Sequence, residues 1–138
     1  MKIALLCSGL GNIYRGHEIF ARDLFNLVSD SIDITLFKGG GENTEKEWVI
    51  DNVPRSAACL DRVHGVASPK WEAAMKESER LLVEAETFAY AALRPLLEGE
   101  FDVIHCLERD VCNIIYRHRH LFRNTPKIVF SNGGAIPA

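Results

Sequence analysis

The sequence predicts an α/β fold, a doubly wound, mostly parallel sheet with helices on both faces. Three observations carry this. Short, nearly continuous apolar runs, Ile3–Cys7 and Phe101–Cys106, have the length and composition of buried strands, and Lys127–Phe130 reads as a last strand with an uncovered edge. Between them lie longer stretches whose apolar residues recur at helical spacing, the alternation that builds parallel sheets through helical crossovers. The first run passes through a glycine-rich loop, Ser8–Gly16, into an amphipathic stretch, which is how open α/β proteins bring bare backbone N–H groups to a helix N-terminus.

Taken in order, Lys2–Cys7 reads as a buried first strand. The stretch from His17 to Val28 then predicts a helix with Ile19, Phe20, Leu24, Leu27 and Val28 on its apolar stripe and Glu18 at the positive end of the helix dipole. Ile32–Phe37 alternates apolar residues with Asp33 and Thr35, predicting a second strand nearer the edge with one wetter face. Gly39–Gly41 reads as a flexible exit from it. Trp48–Ile50 is a short third strand at most, and residues 51–67 show no period. Ser68–Pro69 is a helix start, an N-cap followed by proline. The long helix from there to Gly99 carries Trp71, Ala85, Phe88, Ala89, Ala92 and Leu96 on its apolar side, opposed by Lys76, Glu77, Arg80, Glu84 and Glu86. Pro95 is expected to loosen its last turn. After Phe101–Cys106, a helix capped near Asp110 ends in Arg117–His118–Arg119–His120. Cations there offset the negative end of a helix, and they make a weak phosphate track.

Composition narrows the function. The 138 residues, 47% hydrophobic, fit one domain with a real core. A formal charge of -3 with mixed signs gives no nucleic-acid footprint, and no run approaches the roughly 18 apolar residues of a membrane span. Four cysteines without a C-x-x-C pair predict free thiols in a reducing, cytoplasmic setting, Cys7 and Cys106 as small core residues. Two nucleotide fingerprints are absent. In G-x-G-x-x-G terms Tyr14 stands where the third glycine belongs, and the second strand ends in Lys38–Gly39 rather than an acidic residue. No G-x-x-x-x-G-K-[ST] occurs, and no serine has nucleophile-elbow context.

In doubly wound sheets ligands bind beyond the carboxyl ends of the strands, where strand order reverses. Four segments converge there: Gly11–Glu18, Lys38–Gly41, His105–Asp110 and Ser131–Gly134. Together they describe a cleft with backbone donors, a histidine, two carboxylates and an amide, suited to hydroxyl-rich ligands. A purely structural role is open for each of them: a satisfied strand-end histidine for His105, loop solvation or a helix cap for Glu108 and Asp110, turn geometry for the glycines.

Five segments in this order and spacing resemble the N-terminal, acceptor-side domain of GT-B glycosyltransferases, most like glycosyltransferase family 4. They are Met1–Ala4, Arg15–Glu18, Asp33–Phe37 with its glycines, Phe101–His105 and Phe130–Gly134. The resemblance implies a Rossmann-like domain and retaining transfer from a nucleotide sugar to a sugar, lipid or glycan acceptor, with no cofactor and no metal. It implies His105 and Glu108 as catalytic residues, Gly11, Asn12, Arg15 and Gly16 as donor-phosphate contacts, and His17, Glu18, Ser131, Asn132 and Gly133 as acceptor contacts. Two positions depart from the pattern: Arg15 replaces the first of paired glycines, and Leu107 stands where a second histidine is common. A C-terminal nucleotide-sugar domain is absent from the 138 residues. The resemblance thus implies an acceptor half, inactive alone, that pairs with a separate nucleotide-binding chain. The alternative is a non-catalytic Rossmann-like binding or interaction module.

Overall fold

The computed structural model describes residues 1–62 and 77–132. Gly133 and the predicted helix start at Ser68–Pro69 lie outside the described residues. Among the described residues, five strands and four helices follow in chain order: β1 (Lys2–Cys7), α1 (Gly16–Val28), β2 (Asp33–Lys38), β3 (Glu47–Val49), α2 (Ala58–Arg62), α3 (Glu77–Gly99), β4 (Val103–Cys106), α4 (Arg109–Arg117) and β5 (Lys127–Phe130). A single 3-10 turn, Arg119–Leu121, follows α4. All described pairings are parallel and the order is β3-β2-β1-β4-β5. The chain builds outward from β1 to β3 and then returns to lay β4 on the other side of β1. Strand order therefore reverses between β1 and β4.

Alternation along β1 divides two cores. Ala4 and Leu6 face α3 and α4, packing with Phe37, Phe88, Ala92, Leu96, Ile104 and Ile115. Leu5 and Cys7 face α1 with Leu36, Ala21, Phe25 and Leu107. The sheet is thus doubly wound with helices on both faces, as the apolar runs predict. Cys7 and Cys106 are buried and free.

Three elements differ from expectation. The buried side of α1 is Glu18, Ala21 and Phe25; of the expected stripe, Leu24 and Val28 pack partly buried against the same core, whereas Ile19 and Phe20 are about half exposed and Leu27 is 80% exposed. The reason is register: the row that meets the sheet is 18, 21 and 25, and a carboxylate falls in it. β2 is buried on both faces beyond Asp33, because β3 adds outside it and Lys38 is held by Glu47 (3.0 Å), which also accepts from Arg22 (2.8 Å). α4 has Glu108 at its N-cap position, two residues ahead of the expected Asp110, which sits in its first turn. α3 ends at Gly99, as expected, with Pro95 inside its last turns.

The glycines after β2 form a close seam rather than a flexible exit. A Cβ on Gly39 would overlap the Ser8 carbonyl, and one on Gly11, whose φ is +93°, would overlap the Gly40 backbone. The Gly40 N–H donates to the Leu10 carbonyl at 3.0 Å. Only residues without side chains let the β1 and β2 exits approach this closely.

Candidate functional site

A cleft of about 420 Å³ opens at the point where strand order reverses, a volume within the range of small-molecule sites. The first turn of α1 supplies Arg15, His17 and Glu18; the segment after β3 supplies Arg55; α3 supplies Glu84; and the β4–α4 junction supplies Leu107 to Asp110. Phe130 and Asn132 close it from the end of β5.

Ser8 and Glu108 form the floor. The Ser8 N–H donates to Glu108 Oε1 at 2.8 Å, and the Ser8 hydroxyl donates to Oε2. The cap residue of α4 thereby spends its side chain across the switch point, tying β1 to β4, and makes no side-chain bond to its own helix. Burial pushes the Glu108 carboxyl up to about 7, against the Ser8 hydrogen bonds that favour its ionised form, with the charges of Glu18 from α1 and Glu84 from α3 adding to the rise. The folded chain holds this proton more tightly than an unfolded chain whose carboxyl titrates near 4.5. Stability contributed by the proton is present below that value and is lost as pH rises through about 7. Glu108→Gln, neutral throughout, is expected to lack this slope and to exceed the parent by about 1–3 kcal/mol at about pH 8. Urea titrations of both chains at mildly acidic and mildly alkaline pH check it, and parallel pH dependences refute it.

Arg55 and Glu84 form the wall. Glu84 is 0% exposed and accepts from the Arg55 backbone N–H at 2.8 Å, from Nε at 3.2 Å and from Nη2 at 2.6 Å. Burial opposes the guanidinium's charge, but the hydrogen bonds and charge of Glu84, helped by Glu18 and Glu108, outweigh it and hold Arg55 above its usual pKa. Sequence reasoning missed both residues. Glu84 was assigned to the polar side of its helix, whereas it continues the buried i, i+4 row of Phe88, Ala92 and Leu96. That row was the available signal. Arg55 lies in a stretch without periodicity and had none.

Glu18, 3% exposed, is the cleft's outstanding group. Its Oε1 is buried with no hydrogen-bond partner among the described residues. A Cβ on Gly9 would lie 3.2 Å from the Glu18 Cδ and 3.0 Å from Arg55 Nη2, so a bare glycine gives both side chains their room.

The sequence-predicted residues divide into groups. Arg15, His17, Glu18, Glu108 and Asn132 line this cleft. Gly11 and Asn12 pack on the Gly39–Gly40 seam instead, where Asn12 Nδ2 donates to the Gly39 carbonyl at 3.2 Å. Gly16 opens α1 with free space around the position of a Cβ. His105 and Ser131 pair with each other, Nε2 to Oγ at 2.7 Å. The register explains this: His105 stands opposite Val129, on the face of Leu5, and Ser131 is the next residue of β5's line on that face. Burial lowers the His105 pKa, favouring the neutral ring.

Among the described residues no group of three or more His, Cys, Asp or Glu side chains is arranged to hold a metal ion, and no helix is long and apolar enough to cross a membrane. Comparison with known proteins finds no matching family model, no matching curated protein and no matching solved structure. Fold and cleft geometry therefore carry the functional reading.

Proposed function

We propose that this chain is a Rossmann-like binding module that takes a small, hydroxyl-rich ligand in the cleft between β1 and β4. One observation carries the reading: the Glu18 carboxyl, buried at the cleft with an oxygen that no described donor reaches. A buried acceptor left without a donor costs about 1–3 kcal/mol, and a ligand hydroxyl removes that cost. The position supports it, since doubly wound sheets bind ligands at the reversal of strand order. Glucose, mannose and ribose titrated into the isotopically labelled chain are expected to shift the amides of His17, Glu18 and Arg109. Absence of shifts with all three, or shifts confined to β5, overturns the proposal.

A second reading, the acceptor-side half of a retaining glycosyltransferase, is favoured by one specific observation. Residues that the resemblance assigns to the acceptor, His17, Glu18 and Asn132, line the same cleft as Arg15, assigned to the donor phosphates. On this reading the chain alone transfers no sugar from uridine- or guanosine-diphosphate sugars, and a separately expressed nucleotide-binding domain restores transfer. Sugar binding that persists without transfer under both conditions leaves the binding module and removes the transferase.

A further inference from the structure

The charges lining the cleft do not balance once their pairings are traced. Arg15 turns outward to Glu77, Nη1 to Oε1 at 2.9 Å. Arg55 directs its backbone N–H, Nε and Nη2 to Glu84. Arg109 lies beside Asp110, Nε to Oδ1 at 3.8 Å. Among the described residues, two carboxyls remain without a cation of their own: Glu108 takes its donors from the neutral Ser8, and Glu18 has a buried oxygen that no described donor reaches. Both lie close enough to Arg55 to raise its pKa, so one guanidinium faces three carboxyls. A neutral hydroxyl satisfies the hydrogen-bonding deficit at Glu18 but not this excess of negative charge. An ammonium satisfies both, and charge-assisted hydrogen bonds are roughly twice as strong as neutral ones. Rotation of the Glu18 carboxyl about its last, broad torsion lets it meet a donor entering the cleft.

We infer that the ligand carries a protonated primary amine beside its hydroxyls, as an amino sugar or amino alcohol does, with the ammonium donating to Glu18. The inference rests on the binding reading above and narrows it to one ligand class.

Calorimetric titration of the full chain with glucosamine, glucose and N-acetylglucosamine near pH 7 tests it. These share a ring but differ in carrying a cationic amine, a hydroxyl or a neutral amide. Glucosamine is expected to bind about tenfold more tightly than either of the others, a difference of about 1.4 kcal/mol. Glu18→Gln is expected to erase that preference, and a tenfold preference for glucosamine that survives in a folded Glu18→Gln chain overturns the assignment of the ammonium to Glu18. The comparison in the parent chain decides the matter even where the variant fails to fold. Equal affinity for glucosamine and glucose overturns the amine and leaves the hydroxyl-binding reading standing. Binding of none of the three overturns both. Displacement of glucosamine by calcium or magnesium chloride at matched ionic strength also overturns the inference, since the cleft is then a general cation sink.

Discussion

Arg55→Ala is expected to lower the free energy of unfolding by about 3–5 kcal/mol, the usual consequence of leaving a buried charge without its partner. Glu84 is wholly buried, and the substitution removes the Nε and Nη2 donors while keeping only the backbone N–H. The effect comes from the abandoned carboxylate, not from the net value of the pair. Replacing both residues with apolar ones of similar volume, Arg55→Met with Glu84→Leu, is therefore expected to restore most of the loss. Urea unfolding of Arg55→Met, Glu84→Leu and the double variant forms the cycle that measures it. A double variant no more stable than Arg55→Ala would show that the ion pair is not where the energy lies. Neighbouring bonds anchor the same segment, including Val53 N–H to Thr87 Oγ1 at 2.9 Å and Arg80 Nη1 to the Arg55 carbonyl at 3.1 Å. The segment's remaining anchorage to α3 is what allows the double variant to keep its backbone path.

Gly39→Ala is expected to cost about 3 kcal/mol or more, because the new methyl would occupy the space of the Ser8 carbonyl and backbone has little room to yield. Ser8 is also the residue that holds Glu108, so the displacement reaches the cleft floor. Gly16→Ala is the control. Its methyl enters open space at the start of α1, and it is expected to change stability by about +0.4 to +1 kcal/mol through the unfolded chain's lost freedom. Thermal or urea unfolding of both variants checks the contrast, and a Gly39→Ala chain as stable as the parent would refute the close seam.

How far the sequence could be read depended on whether a residue's partner was near it in the chain. β1 and β4 were legible because strands covered on both faces are nearly apolar throughout, which leaves little ambiguity in period; β5 reads as a strand too, but it lies at the sheet's edge with Val129 41% and Phe130 42% exposed. α3 was legible over Ala85–Leu96 through the helical spacing of Ala85, Phe88, Ala89, Ala92 and Leu96. α1 was legible as a helix, but not in its rotation, since Ile19, Phe20 and Leu27 advertise an apolar side that the sheet does not cover. The cleft's place at the first turn was legible too, with Arg15, His17, Glu18, Glu108 and Asn132 among its lining. Its wall was not. Arg55 and Glu84 are 29 residues apart; Arg55 lies in a stretch without periodicity, and only the row of Phe88, Ala92 and Leu96 marks Glu84 as buried.

The sequence by itself determined that this chain alternates strands and helices and that its polar loops gather along the carboxyl ends of the strands. Apolar periodicity and glycine placement are local properties, and local sterics act on them directly. Only the tertiary structure decided which carboxylates are buried together and which of them has a cation. Burial and charge pairing belong to positions brought together by the β3-β2-β1-β4-β5 order, and their energies depend on neighbours that the linear chain keeps far apart.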